Sequence, residues 1–177
     1  MKNERSREAE TGTHGGNIIP PEDGSVVFER IVLATDFEAS SRRASAVVRK
    51  LAANSRARVF LVHAHDPLLI PVADPTGVLA PAIDPQTLWE PAERAARDNL
   101  NSEAVRFGAN IAIEPILRSG VAWEEVLAVA KEKNADLIVV GSHGRSGLSR
   151  TLLGSVAEKI TRLAVVPVLV VRETHEP

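Results

Sequence analysis

Apolar positions along this chain fall into two alternating rhythms. Short unbroken runs recur at "RIVLATD" (30–36), "RVFLVHAHD" (58–66), "NIAIEPIL" (110–117), "DLIVVG" (136–141) and "PVLVVR" (167–172). They are rich in β-branched residues with little polar alternation, the mark of strands buried on both faces. Between them lie segments whose apolar residues share one helical face. "SSRRASAVVRKLAANS" groups Ala44, Val47, Val48 and Leu51, with Arg42, Arg43, Arg49 and Lys50 off that face. "TLWEPAERAARDNLNSEAVRFG" groups Leu100, Ala104 and Phe107 ahead of Gly108, a C-cap candidate. "AWEEVLAVAKEKN" groups Val126, Leu127 and Ala130, and "SVAEKITRLA" supplies a fourth helix. Strand and helix alternate throughout. The pattern predicts an α/β fold, a single open doubly wound parallel sheet of five strands with helices on both faces.

Two stretches break the rhythm. Residues 1–25 are polar and punctuated by glycine and proline ("THGGNIIPPEDGS"), which predicts a mobile tail ahead of one domain spanning 26–174. "DPLLIPVADPTGVLAPAIDPQTLWEP" holds six prolines between Pro67 and Pro91. Proline at that density predicts a loop insertion over 67–91, neither regular helix nor central strand. It fits a lid or partner-docking loop and a surface excursion equally.

Composition narrows the function. A formal net charge of −2 without blocks of like charge gives no electrostatic footprint for nucleic acid. Aromatics at 3%, with no tyrosine, leave no platform for stacking single-stranded bases. The absence of cysteine removes disulfides, thiolate nucleophiles and cysteine-based zinc sites. No apolar run approaches the ~20 residues of a membrane span, and the N-terminus lacks the apolar core of a secretory signal. The expectation is a cytoplasmic protein with no membrane contact.

Candidate chemistry concentrates in "VVGSHGRSGLSRTLLGSVAEKI" (139–160), between the fourth strand and the fourth helix. Two residues separate Gly141 from Gly144, and nine separate Gly144 from Gly154. Ser155 and Glu158 form an S-x-x-E pattern, which predicts a capping box with Ser155 as N-cap. Glycines permit close approach of backbone to a ligand, and the unpaired amides of a helix start favour phosphate. Arg145 and Arg150 add candidate charge-assisted contacts. On residues alone, an anion site and a flexible loop before an ordinary capped helix fit equally well. A P-loop, a G-x-G-x-x-G turn after the first strand and a G-x-S-x-G elbow are all excluded by spacing. His63 and His65 share one strand face, but only Asp66 offers itself as a third metal ligand, so no metal site is expected. Ser142 and His143 are chain neighbours, poorly placed as nucleophile and base, and no catalytic residue is assigned.

The same stretch resembles the nucleotide-binding signature of the universal stress protein family, glycine–two–glycine–nine–glycine–serine/threonine, at Gly141, Gly144, Gly154 and Ser155. The similarity spans roughly 28–172, including the opening "TDF" and the closing "PVLVV". It implies a Rossmann-like, adenine nucleotide alpha hydrolase-like sheet of order 3-2-1-4-5, binding ATP or a related adenine nucleotide, with Mg²⁺. Asp36 would accept the ribose hydroxyls, or cap the first helix, or both. Ala34 and Thr35 would flank the base through backbone groups; many nucleotide-binding members carry proline where this chain has Ala34. Ala64 would meet the adenine edge, and Val140 would line the same pocket. Gly141, Gly144, Arg145, Gly154, Ser155 and Val156 would cradle the phosphates. The resemblance also implies a homodimer through the fifth strand (Val168, Leu169, Val170, Val171). It leaves open a dimeric interaction module for an unknown protein partner that needs no nucleotide.

Overall fold

The computed structural model describes residues 27–65, 85–142 and 153–172. Five strands and four helices alternate: β1 (Arg30–Ala34), α1 (Ala39–Ser55), β2 (Arg58–His65), α2 (Pro85–Val105), β3 (Ile113–Ser119), α3 (Ala122–Glu132), β4 (Leu137–Gly141), α4 (Ser155–Leu163) and β5 (Val168–Val171). The strands form one all-parallel sheet in the order β3-β2-β1-β4-β5. The fold class and strand order expected above both hold.

Burial on two faces explains the unbroken apolar runs. Ile31 and Leu33 of β1 pack under α1 and α2 with Ala44, Val48, Leu100 and Phe107. Val32 and Ala34 point the opposite way, under α3 and α4, with Val126, Val129, Ala157 and Ile160. A strand sandwiched like this has no solvent face on which to place polar residues.

The outer strands differ. Even-numbered β3 residues turn their backbone groups to β2, as the bonds Val59 N–H to Ala112 O (2.8 Å) and Gly120 N–H to His65 O (2.9 Å) require. Pro115 therefore faces the outer edge, where its missing N–H costs no ladder bond. At the opposite end of the sheet Asp136 accepts the amides of Glu29 (2.7 Å) and Arg30 (3.1 Å) and ties the start of β1 to that of β4.

One expectation is corrected. Residues 85–91, placed in the proline-rich loop although a helical pattern is also read from Thr87 onward, belong to α2, with Pro91 inside the helix. Pro85 heads the helix, where no N–H is needed and its ring pre-sets a helical φ. Pro91 forfeits one backbone bond early in the helix. The buried stripe Ala96, Leu100 and Phe107 outweighs that loss. The tail over 1–25 and the rest of the proline-rich stretch, 67–84, lie outside the described residues. Boundaries elsewhere move by one to three residues, as with β3, which runs Ile113–Ser119 rather than over 110–117. Gly108 has the positive φ (84°) of a C-cap residue but sits three residues beyond Val105, after a tightened final turn.

Gly141 ends β4 against the first turn of α1. A Cβ there would lie 2.6 Å from Ser40 Oγ, and 2.8 Å from both the Ser40 carbonyl carbon and the Ser41 amide nitrogen. A hydroxyl can swing aside, but helix backbone cannot move without shifting α1. This glycine is thus required by helix-to-strand contact within the protein. Gly141→Ala is expected to destabilise the fold by about 1–3 kcal/mol through overpacking. Urea unfolding of the variant measures this, and a midpoint equal to wild type would contradict so close an approach.

Candidate functional site

Strand register gathers the expected residues at one sheet edge. Ala34 is level with Val62 on one side, and Leu33 with Val139 on the other. Two steps beyond Leu33, the same register brings Thr35 level with Gly141 at the carboxyl edge. There the strand order reverses between β1 and β4, and α1 and α4 leave on opposite faces.

At the end of β1, Thr35 is 6% exposed and bonded through every polar group. Its amide donates to Val62 O (2.9 Å), and its carbonyl lies 2.8 Å from His63 Nδ1, which must carry the proton because a carbonyl only accepts. Its hydroxyl is 3.0 Å from Glu103 Oε2 and 3.3 Å from Ser41 Oγ, and it accepts the Phe37 amide at 3.1 Å. The Thr35 amide is therefore closed to a base; of its two backbone groups only the carbonyl retains a lone pair.

Asp36 follows, half-buried. Its Oδ1 accepts the Glu38 amide at 3.0 Å, an Asx turn. The N-cap of α1 is Glu38, so Asp36 shapes the approach to the helix without capping it. Among the described residues, Oδ2 has no donor. Phe37 adopts φ 67°, a conformation costing a bulky residue about 1–3 kcal/mol. Its amide bond to Thr35, a guanidinium bond from Arg42 to its carbonyl, and its ring 4.4 Å from the His63 ring together hold it there.

Ala64 gains open backbone groups by default. Even-numbered β2 residues face β1, as Arg58 N–H to Glu29 O (2.8 Å) and Thr35 N–H to Val62 O demonstrate. Ala64 is next in that series, but β1 has turned away and His63 has taken the Thr35 carbonyl. Among the described residues, the Ala64 N–H and C=O have no partner. Ala34 (8% exposed) and Val140 (6%) share an apolar cluster with Ala157, against which Val156 packs.

Across the edge, Ser142 is 1% exposed; its amide donates to Val171 O (2.8 Å) and its carbonyl accepts from Gly154 (2.8 Å). That second bond ties together the two ends of the segment between β4 and α4. The capping box is corrected. Gly154 is the N-cap, in extended conformation, and its carbonyl accepts the first intrahelical bond, from Glu158 (2.9 Å). Ser155 sits one residue too far into α4 to cap it, and Glu158 pairs with Arg162 instead (3.4 Å). The amides of Ser155, Val156 and Ala157 thus precede the first intrahelical donor, Glu158, and, among the described residues, have no partner. Gly144, Arg145 and Arg150 lie outside the described residues, as do His143 and Asp66. Among the described residues no cluster of His, Asp or Glu could hold a metal.

Sequence reasoning missed Glu103 and Phe37. Glu103 is 6% exposed and lies on the core-facing stripe of α2 with Ala96 and Leu100, in line with Phe107 just beyond the helix. A carboxylate at a core position of an amphipathic helix was the signal available.

Comparison with known proteins gives a consistent result. The model of the universal stress protein family matches residues 28–172. A universal stress protein of Methanocaldococcus jannaschii, MJ0577, is 29% identical over 160 residues, covering 85% of this chain and 99% of that protein. A second from that organism, MJ0531, is 32% identical over 154 residues, covering 85% and 86% respectively. A crystal structure of a universal stress protein in complex with cAMP superposes with a TM-score of 0.61 at 26% identity, covering 82% of this chain and 98% of that one.

Because Gly154 holds the cap position, Ser155→Ala should change the unfolding free energy by less than about 0.5 kcal/mol, where loss of a true serine cap costs about 0.5–2. Denaturant titration of this variant checks the assignment, and a loss above about 1 kcal/mol would restore Ser155 as the cap.

Proposed function

The chain belongs to the universal stress protein family, and on that basis we propose that it binds an adenine nucleotide, ATP or a close relative, at the carboxyl edge between β1 and β4. The observation that carries this reading is the set of open polar groups at that edge. Three amides at the start of α4 have no acceptor, and Asp36 Oδ2 has no donor, among the described residues. Helix-start amides, aligned with the positive end of the α4 dipole, suit phosphate. A carboxylate across from them suits the two hydroxyls of a ribose. The similar universal stress protein solved with cAMP supports an adenine nucleotide as the ligand class.

In this reading Asp36 grips the ribose. Ala64 offers its open N–H and C=O to the base edge, and Ala34, the Thr35 carbonyl and Val140 wall the adenine. Gly144, Arg145, Gly154, Ser155 and Val156 hold the phosphates, with Gly141 keeping β4 close enough to α1 to shape the floor. Mg²⁺ would be held by phosphate oxygens and water, a common arrangement for that ion. ATP then serves as a ligand or slowly hydrolysed switch of a homodimeric stress-response regulator.

A second reading is favoured by one observation. β5 is an apolar edge strand with Leu169 36% exposed, flanked by Val165 at 97% and Leu163 at 45%. Such an edge invites pairing, and a homodimer through Val168–Val171 would serve a protein-interaction module that needs no nucleotide. Nucleotide retained by protein purified without added ligand, identified by mass spectrometry, separates the two.

Asp36→Ala removes one or two charge-assisted bonds of about 1.5–3 kcal/mol each, so ATP affinity should fall by roughly tenfold to beyond a hundredfold in calorimetry. An unchanged dissociation constant would remove Asp36 from the site. Gly154→Val should weaken ATP binding while leaving a dimer intact in sedimentation at micromolar concentration; a monomer in wild-type protein would end the β5 pairing.

A further inference from the structure

Glu103 stands out as a buried carboxylate that the nucleotide site as described does not use. It projects from α2 into the core-facing stripe between Leu100 and Phe107, at 6% exposure. An apolar residue there would avoid desolvating a charge, so its presence calls for a physical reason. Its described partners are two hydroxyls: Thr35 Oγ1 at 3.0 Å from Oε2, and Ser45 Oγ on Oε1.

The chemistry of those partners sets a direction. An ionised carboxylate only accepts, so the single Thr35 hydroxyl proton goes to Glu103. Both oxygen lone pairs of Thr35 then face away from Glu103, one of them onto the Phe37 amide at 3.1 Å. That bond helps hold Phe37 at its positive φ of 67°. Between Thr35 and Phe37 sits Asp36, whose Oδ1 is fixed by the Glu38 amide at 3.0 Å. Remove the carboxylate and the Thr35 proton is released to turn toward Ser41 Oγ, 3.3 Å away, disturbing the acceptor that Phe37 depends on.

We propose that Glu103 is a positioning residue: through the Thr35 hydroxyl it fixes the turn that aims Asp36 Oδ2, and so sets selectivity for nucleotides carrying both ribose hydroxyls. The selectivity part rests on the nucleotide reading above; the positioning part does not.

The test uses the full chain with Glu103→Leu and Glu103→Gln. A glutamine can keep its carbonyl on Thr35 and turn its amide to Ser45, whose own proton then goes to Ser41 O at 3.0 Å. Calorimetry with ATP and 2′-deoxyATP reads selectivity, and amide hydrogen exchange reads the turn. In Glu103→Leu, ATP affinity should drop roughly tenfold or more, and 2′-deoxyATP affinity by a clearly smaller factor because it has only the 3′-hydroxyl contact to lose, so that the ATP-to-2′-deoxyATP preference falls. Exchange at Phe37 and Glu38 should quicken roughly tenfold or more relative to core amides of β1. Glu103→Gln should stay within about threefold of wild type in both measurements. Asp36→Ala/Glu103→Leu should bind ATP no more weakly than Asp36→Ala alone, because the two act through one contact.

A folded Glu103→Leu protein with the wild-type ATP-to-2′-deoxyATP ratio overturns the selectivity claim. Unchanged exchange at Phe37 and Glu38 overturns the positioning claim. Wild-type protein that binds neither nucleotide sinks the nucleotide reading and the selectivity with it, and exchange alone then decides whether Glu103 holds the turn.

Discussion

Helices leaving β1 and β4 depart on opposite faces of the sheet, and that divergence opens the chain at one place along its carboxyl edge. Each feature of the candidate site follows from it. β1 turns away after Ala34, so Ala64 on the longer β2 loses its next ladder partner. β4 ends at Gly141, pressed against the first turn of α1, and Ser142 fastens the chain to Gly154 before α4 begins. Backbone polar groups are left open there because neighbouring strands stop at different heights.

A set of open backbone groups can serve a ligand only if the elements that carry it are stiff. The side facing β1 is stiffened by a polar network of buried Glu103, Thr35, Ser41 and His63 with half-buried Ser45. The other side is stiffened by packing, with Val140, Ala157 and Ile160 in one apolar cluster. The polar wall holds a strained Phe37 and directs a carboxylate, which apolar packing alone does not do because it has no directionality. Buried polar groups are kept here at a cost in desolvation that a purely structural core would avoid.

The apolar rhythm was enough to read five strands, four helices and a parallel sheet, since residues buried on both faces cannot alternate with polar ones. The Gly141, Gly144, Gly154 and Ser155 spacing located the edge at which α4 starts. Where the reading failed, two local rules met a tertiary override. Proline at Pro85 and Pro91 argued for loop, but Ala96, Leu100 and Phe107 had a core to enter, and one missing hydrogen bond near the helix start weighs less than that burial. Ser155 and Glu158 matched a capping box, yet Gly154 held the cap because its amide was anchored to Ser142, a contact between residues twelve apart in the chain.

Periodicity and spacing by themselves determined the fold class and the order of elements, and singled out the stretch of chain proposed to carry the site, because these depend on local patterns of burial and on the conformations glycine permits. Tertiary structure alone decided that Gly141 serves α1 packing, that the Thr35 amide is occupied, that Ala64 is open, and that Glu103 reaches Thr35 across 68 residues of sequence. Those are outcomes of strand register and helix docking. No window of sequence contains them, because a hydrogen bond between distant residues exists only after the sheet has set which ends lie side by side.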